Sequence, residues 1–255
     1  MHLLSLPALA DNYIWLLHDD HGDAIVVDPG EAEVVEQALV RQRLRLRAIL
    51  LTHHHADHVG GAAELRARHD VPVLAPEDPR ISATSRVVRD GDRIALPAPS
   101  TTIEVLAIPG HTLSHVGYLV DDVLLCGDTL FSMGCGRLFE GTAAQMLVSL
   151  DRLARLPPAT RVCGGHEYTQ ANGRFALTIE PDNAALHRRM REVAELRARQ
   201  LPTLPVTLAS ELATNPFLRC DTPSVQDWCR RQGIAADDRV SCFAAIRQAK
   251  DGFRG

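Results

Sequence analysis

The 255-residue sequence lacks the marks of several large classes of protein. It contains no apolar run near the ~20 residues that a membrane-spanning helix requires, and no internal repeat or low-complexity segment. Its net charge of −5 gives no reason to expect nucleic acid or an acidic membrane as a partner. Hydrophobic residues make up 45% of the chain and charged residues 23%, so we expect an ordinary soluble globular protein.

Paired cysteine motifs are also missing. The six cysteines are scattered along the chain, with no Cys-x-x-Cys pair: Cys126, Cys135, Cys163, Cys220, Cys229 and Cys242. In a chain of this length, that distribution predicts reduced and mostly buried thiols of an intracellular protein, not a disulfide framework.

The N-terminus lacks the basic residues that open a secretion signal. Its apolar stretch does end in Ala-Leu-Ala at residues 8–10, which imitates a cleavage site, but a serine and a proline interrupt the run. We therefore interpret residues 1–17 as the first piece of a sheet. We expect a cytoplasmic protein whose chain begins at or near Met1.

Strands and helices alternate over the first two thirds of the chain. Residues 48–51 form a short apolar run typical of a buried strand, whereas residues 31–43 have apolar positions at helical spacing. After about Tyr168 the patterns are helical only. This change predicts an α/β sheet domain over residues 1–168 and a helical domain over residues 169–255.

One stretch, Thr52-His-His-His-Ala-Asp-His58, is unusually rich in metal-ligating side chains. Neutral imidazoles and carboxylates are ligands that Zn²⁺, Fe and Mn²⁺ accept. In an extended loop His53 and His55 share one side, while Asp57 and His58 follow at a turn, which predicts two ligand sets and room for two metals. The alternative is a polar surface loop or the remnant of a tag, but a tag lies at a terminus and does not interleave an aspartate.

Three further ligand-type residues follow apolar strands elsewhere in the chain. His111, Asp128 and His166 each lie one to three residues beyond such a run, with a glycine before them. One histidine beside a glycine is more often a solvated loop residue. Because loops at the same ends of neighbouring strands lie close together, we expect these residues to meet the loop of residues 52–58.

In this order the motifs resemble the metallo-β-lactamase superfamily, and within it the glyoxalase II (hydroxyacylglutathione hydrolase) family. The superfamily motifs are Thr-His-His-His-Ala-Asp-His at 52–58, Pro-Gly-His-Thr at 109–112, Gly-Asp-Thr-Leu-Phe at 127–131 and Gly-His-Glu-Tyr-Thr at 165–169. The segments at 6–15, 135–141, 215–219 and 250–253 narrow the resemblance to glyoxalase II. The resemblance implies an αβ/βα sandwich of two sheets between helices, followed by a helical substrate-binding domain.

The resemblance also implies a dinuclear metal centre. Its first site would use His53, His55 and His111, its second Asp57, His58 and His166, and the Asp128 carboxylate would bridge the two. The cofactors implied are two divalent ions per chain, zinc first, with iron or manganese as alternatives. Asp57 and Asp128 are the residues expected to act in catalysis.

The reaction implied is hydrolysis of S-(2-hydroxyacyl)glutathione, with S-D-lactoylglutathione giving glutathione and D-lactate. This is the second step of methylglyoxal detoxification. Two metal ions would activate the attacking water, and a thiolate whose thiol has a pKa of ~8.5 can leave without strong acid catalysis. The sequence has no Gly-x-Ser-x-Gly nucleophile motif, and we interpret Cys135 as structural.

Five residues are expected to bind the glutathione part of a small-molecule substrate: Arg137, Phe139, Tyr168, Arg247 and Lys250. Arg247 and Lys250 are three residues apart, so that one helix face presents both. The alternative for this pair is a solvated helix end. Phe139 stands where the family usually has tyrosine, which removes a hydroxyl donor. We expect a monomer.

Three other functions compete with this interpretation. A β-lactamase of this fold typically carries cysteine at the position of Asp128, and a persulfide dioxygenase is expected to hold one iron and to differ around the last histidine. A metal-binding protein without turnover is the third alternative. Inactive members tend to lose ligands, whereas all seven positions here carry the expected residue.

Overall fold

The computed structural model describes residues 1–235 and 237–254, which form two compact units. The N-terminal unit comprises residues 1–107 and 114–127. The C-terminal unit comprises residues 108–113 and the chain from Asp128 onward. The chain passes between the units more than once, and the predicted domain boundary at residue 168 stays a prediction.

The N-terminal unit contains ten strands and three helices among its described residues. In chain order they are β1 (His2–Ala8), β2 (Asn12–His18), β3 (Asp23–Val27), α1 (Ala32–Gln42), β4 (Arg45–Leu50), α2 (Ala56–Val59), α3 (Ala62–His69), β5 (Val73–Pro76), β6 (Arg86–Val88), β7 (Arg93–Pro97), β8 (Ser100–Ala107), β9 (Val116–Val120) and β10 (Val123–Gly127).

The first six strands form one sheet in the order β1-β2-β3-β4-β5-β6. The first two pairings are antiparallel and the last three parallel. Parallel neighbours need a crossover connection, and α1 and α3 supply it after β3 and β4. Every residue of β3 is buried, as its apolar run predicts for a strand covered on both faces.

Strands β7 to β10 pair with their chain neighbours in antiparallel fashion. A tight turn at residues 121–122 joins β9 to β10, with Asp121 in the left-handed region at φ 53°. Tyr118 on β9 links the two sheets of this unit, since its buried hydroxyl donates to the carbonyl oxygens of Leu51 (2.8 Å) and Leu74 (3.2 Å). Burial raises the pKa of Tyr118, so this hydroxyl keeps its proton and its role as donor.

The C-terminal unit is mainly helical. Its elements are β11 (Leu130–Phe131), β12 (Gly134–Cys135), α4 (Ala143–Ala154), β13 (Arg161–Gly164), α5 (Thr169–Ile179), α6 (Ala184–Ala198), β14 (Val206–Thr207), α7 (Leu208–Thr214), a 3₁₀ turn (Pro216–Leu218), α8 (Pro223–Arg231) and α9 (Arg239–Gly252). The predicted helical character after Tyr168 is confirmed. The two-residue strands β11, β12 and β14 were not predicted, because so short a pairing leaves no periodicity to detect.

The expectation of six reduced cysteines was wrong for one pair. Cys229 on α8 and Cys242 on α9 form a disulfide, with their Cα atoms 5.9 Å apart. Their spacing of 13 residues matches no cysteine motif, and only the packing of α8 against α9 brings them together. The other four cysteines are buried and are not disulfide-bonded, as predicted.

Among the described residues, no helix combines the length and the apolar character needed to cross a membrane.

Candidate functional site

The loop of residues 52–58 follows the buried end of β4 and runs into the short helix α2. The predicted pairing of His53 with His55 is seen, with Nε2 of His53 3.0 Å from Nδ1 of His55. Nε2 of His58 lies 3.5 Å from an Asp57 oxygen, and the rings of His53 and His58 are 4.2 Å apart. Within the N-terminal unit, the four predicted ligands of this loop are therefore close together.

Asp28, directly after β3, organises this loop. One of its carboxylate oxygens accepts from the Thr52 backbone N–H at 2.8 Å, and the other accepts from the Thr52 hydroxyl at 2.7 Å. The second oxygen also lies 3.0 Å from Nδ1 of His58, which leaves Nε2 of that ring facing Asp57. A carboxylate on the far nitrogen fixes the orientation of an imidazole and raises its basicity, which favours metal binding at the near nitrogen.

Gly30 makes room for the loop. A Cβ at this position would lie 2.1 Å from the carbonyl oxygen of Asp57, so any side chain would displace the backbone that carries a predicted ligand. Asn12, at the start of β2, holds the Asp57 side chain from elsewhere in the unit by donating to it at 2.9 Å.

Sequence reasoning missed Asp28, Asn12 and His115, whose ring stacks on that of His53 at 4.6 Å. Asp28, His53 and His58 offer ligand atoms within 4.8 Å of one another. A signal for Asp28 was present, because it follows a buried strand directly, as the predicted ligands do.

The C-terminal unit brings together the other three predicted ligands. An oxygen of Asp128 lies 3.4 Å from Nε2 of His111 and 3.3 Å from Nε2 of His166, and all three side chains are buried. Nδ1 of His111 lies 2.8 Å from the Arg137 carbonyl, and the ring of His166 stacks on Tyr168 at 4.7 Å. Two imidazole nitrogens facing one carboxylate form a donor set that suits a divalent metal.

The backbone between Asp128 and Arg137 approaches itself closely. A Cβ on Gly136 would lie 1.9 Å from the Asp128 carbonyl oxygen and 3.1 Å from Nδ1 of His111. Glycine at this position therefore allows the chain to turn back beside both residues.

A cavity of about 450 Å³ opens in the C-terminal unit. Its lining includes His111, Asp128 and all five residues predicted to bind glutathione: Arg137, Phe139, Tyr168, Arg247 and Lys250. Phe139 is 62% exposed, with its ring edge against His111 at 5.2 Å. Ligand-type groups and cationic side chains therefore line the same cavity.

The alternative of a solvated helix end does not hold for Arg247, which is 6% exposed. Its guanidinium donates to the Cys135 carbonyl at 2.7 Å and to Asp251 at 3.0 Å. Lys250, the only lysine of the sequence, lies over the rings of Phe175 and Phe253 at 5.7 and 5.6 Å. Burial, reinforced by neighbouring arginines, lowers the pKa of Lys250.

Cys135 also lines the cavity, yet burial raises the pKa of its thiol to about 11. A thiol in that state is a poor nucleophile, since the thiolate is the reactive form. This supports the interpretation of Cys135 as a structural residue.

Comparison with known proteins defines first the class and then the family. Residues 10–166 match the model of the metallo-beta-lactamase superfamily, and residues 167–253 match that of the hydroxyacylglutathione hydrolase C-terminus. The chain is 51% identical to the hydroxyacylglutathione hydrolase of Xanthomonas axonopodis pv. citri over 100% of both chains. It is 50% identical to that of Cupriavidus taiwanensis over 98% of both chains. The chain belongs to the hydroxyacylglutathione hydrolase family, within the metallo-β-lactamase superfamily.

Solved structures agree on the fold. The crystal structure of ETHE1 from Myxococcus xanthus matches with a TM-score of 0.69 and 26% identity, covering 100% of this chain and 93% of that one. TTHA1623, crystallised in a di-iron-bound form, matches with a TM-score of 0.61 and 26% identity over 86% of this chain and 100% of that one. The predicted metallo-β-lactamase fold with a C-terminal helical region is confirmed.

Proposed function

We propose that the chain hydrolyses S-(2-hydroxyacyl)glutathione thioesters, with S-D-lactoylglutathione as the substrate and glutathione and D-lactate as products. The observation that carries this proposal is the composition of the cavity of about 450 Å³ in the C-terminal unit. This cavity presents His111 and Asp128 together with the cationic side chains of Arg247 and Lys250. Full-length relatives at about half identity bear the name of this activity, which supports it.

The metal centre is part of the proposal. Two ions would be held by His53, His55, His111, Asp57, His58, Asp128 and His166, with zinc as the metal and iron or manganese as alternatives. The donor set fits, because every member is an imidazole or a carboxylate. When bound, such ions lower the pKa of a coordinated water toward neutrality and polarise a carbonyl. One structural neighbour is described as di-iron-bound, which supports a dinuclear centre.

The chain's own residues have distinct tasks in this reaction. Asp57, fixed by Asn12, is placed to orient the attacking water by accepting its hydrogen bond. Lys250 and Arg247 bind the carboxylates of glutathione, and charged hydrogen bonds of this type are the stronger ones. The thiolate of glutathione leaves unassisted, since its conjugate acid has a pKa of ~8.5. Phe139 lacks the hydroxyl of tyrosine and offers only its ring to the substrate.

The wider setting also belongs to the proposal. We place a functional boundary near residue 168, since the two family models meet at residues 166 and 167. We also propose that the protein acts as a monomer in the cytoplasm. Sedimentation of the purified chain tests whether it is a monomer, and cell fractionation tests whether it is cytoplasmic.

The test of the function is turnover of S-D-lactoylglutathione by protein of known metal content. We expect thioester loss, followed in the ultraviolet, with equal release of free thiol. Chelation should remove the metal and the activity together, and restoring zinc should restore both. Hydrolysis that persists without metal would contradict the proposal.

A further inference from the structure

Glu211, on α7, is a fully buried carboxylate that the proposed reaction does not use. One of its oxygens accepts from the Ser132 hydroxyl at 3.0 Å. The other accepts from the Met133 backbone N–H at 2.7 Å and from the Asn215 amide at 3.0 Å. Burying a carboxylate costs free energy unless such donors stabilise it, so we ask what these hydrogen bonds of Glu211 contribute to the site.

Asn215, four residues further on, completes a clamp on the same turn. Its amide nitrogen donates to the carbonyls of Phe131 (3.1 Å) and Gly134 (2.9 Å), while its oxygen accepts from the Phe217 N–H. Glu211 and Asn215 thus bond the hydroxyl, one N–H and two carbonyls of the turn that joins β11 to β12. We call these two residues the clamp and residues 130–135 the clamped turn.

The clamped turn adopts a backbone that needs support. Met133 has φ 55°, in the left-handed region that a non-glycine residue seldom adopts. Its backbone N–H donates a hydrogen bond to the Glu211 carboxylate at 2.7 Å. The bond to Glu211 therefore holds the turn at the residue where its conformation is least favourable.

The clamped turn lies between two parts of the candidate site. Asp128 precedes it by two residues, and Arg137, whose carbonyl bonds His111, follows it by two. Arg247 also grips the Cys135 carbonyl at its end. A shift of this turn would move the Asp128 carboxylate relative to His111 and His166.

We propose that Glu211 and Asn215 are positioning residues that hold the turn of residues 130–135, and through it place Asp128 against His111 and His166 for metal binding. The inference rests on the proposed function, since the metal centre belongs to it, but it is tested by zinc affinity and not by turnover. Glu211 acts through its acceptor geometry and not through its charge. Neither residue touches the substrate or the metal.

The geometry distinguishes acceptor from charge. In Glu211→Gln, the amide oxygen can accept from Met133 and Asn215, while the amide nitrogen donates to Ser132, whose hydroxyl can accept as well as donate. All three hydrogen bonds survive with the charge removed. In Glu211→Leu the shape is similar, but both acceptor oxygens are lost, so the Ser132 hydroxyl and the Met133 N–H lose their partner while the Asn215 amide keeps its two carbonyls.

The experiment measures the affinity of the purified full-length chain for Zn²⁺ alone, by competition with a chromophoric chelator. Because outer-shell groups typically change metal affinity about 10- to 100-fold, we expect Glu211→Leu to bind zinc at least about tenfold more weakly. Glu211→Gln should stay within about threefold of the parent. Ser132→Ala removes only one of the three bonds, so it should fold readily and fall between them.

Glu180 provides the matched control. It is another buried acid of the same unit, and it bonds Arg219 and Ser224, which lie outside the clamped turn. Glu180→Leu should lower the melting temperature and leave zinc affinity unchanged. If Glu211 had only a structural role, Glu211→Leu would give that same result. All affinities are compared well below the melting temperature of each variant.

Two results would overturn the proposal. One is unchanged zinc affinity in folded Glu211→Leu and Ser132→Ala. The other is a loss in Glu211→Gln as large as in Glu211→Leu, which would show that the charge itself matters. If the parent binds zinc normally but does not cleave S-D-lactoylglutathione, the proposed function fails while the clamp stands on its affinity readout.

Discussion

The two units build their ligand-type clusters in different ways. The N-terminal unit takes four predicted ligands from seven consecutive residues, and Asp28 and Asn12 hold them from neighbouring strands. The C-terminal unit takes His111, Asp128 and His166 from three separate segments and depends on loop backbone to place them. Ligands that are adjacent in sequence need few further hydrogen bonds to bring them together. Ligands from separate segments need more, and the clamp that we propose in the second unit supplies some of them.

The largest effect tests the dispersed cluster directly. Asp128→Asn should lower both zinc affinity and turnover by more than about 100-fold, the upper range for outer-shell residues, because it removes the ligand that we propose the two ions share. Metal analysis and kinetics on the same sample check this. Asp227→Asn, an exposed acid of the same unit, is the control and should behave as the parent.

A second prediction asks whether the local cluster depends on its own support. Asp28→Asn puts a donor where Thr52 or His58 now finds an acceptor, so we expect zinc affinity to fall about 10- to 100-fold. Chelator competition measures it. Asp23→Asn, at the other end of β3, loses its pairing with Arg45 and Arg47 and should affect stability alone. Equal zinc affinity in Asp28→Asn and Asp23→Asn would show that Asp28 does not support metal binding by this loop.

The sequence carried unequal information about the two clusters. The loop of residues 52–58 could be predicted as a ligand set because its periodicity and composition are local. His111, Asp128 and His166 were expected to meet the loop of residues 52–58 because each follows a strand end, and that expectation stays a prediction. Within the C-terminal unit, an Asp128 oxygen lies 3.4 Å from His111 and 3.3 Å from His166. Their supports could not be predicted, because Glu211 lies 78 residues from Met133 along the chain and no local pattern links them.

The helices after Tyr168 were predicted for the same local reason, whereas the disulfide was not. Amphipathic spacing marks a helix within about ten residues. The partner of a cysteine depends instead on how α8 and α9 pack, as Cys229 and Cys242 show. The same limit applies to Arg247, whose buried contact with Cys135 spans 112 residues.

A third prediction separates substrate binding from metal binding in the C-terminal unit. Lys250→Met keeps most of the apolar stem but loses the charge. The glutathione thioester should therefore lose about 1.5–3 kcal/mol of binding free energy, the value typical of a charged hydrogen bond, and its KM should rise accordingly. That is roughly 10- to 150-fold. Since substrate and transition state are held alike, kcat should change little.

Lys250 is a cleaner probe than Arg247, whose loss also removes the bond to the Cys135 carbonyl. Zinc content should be unchanged in Lys250→Met, and a small thioester without glutathione should be hydrolysed as fast as by the parent. An unchanged KM would exclude Lys250 from carboxylate binding.

A fourth prediction concerns pH. Because burial lowers the pKa of Lys250, its charge is complete below that pKa and is lost at a lower pH than for an ordinary lysine. KM for the anionic substrate should therefore rise toward alkaline pH. Lys250→Arg keeps its charge throughout and should show no such rise. If KM rose equally in the parent and in Lys250→Arg, the titrating group would be a residue other than Lys250.

The smallest effect is on stability. Burial raises the pKa of Glu211 in the folded state. Its contribution to stability is complete below the unfolded-state pKa and is lost as pH rises through the folded-state pKa. Denaturant titrations should show the parent losing stability relative to Glu211→Gln as pH rises over that window. A constant difference would mean that Glu211 does not change its protonation on unfolding.

The central claim is that this chain is a dinuclear, metal-dependent thioester hydrolase. Its most direct test is a titration of metal-free protein with Zn²⁺, following S-D-lactoylglutathione hydrolysis against bound metal. The account predicts that activity rises with bound zinc and reaches its maximum at about two ions per chain. Full activity at one ion per chain, or none at two, would contradict it.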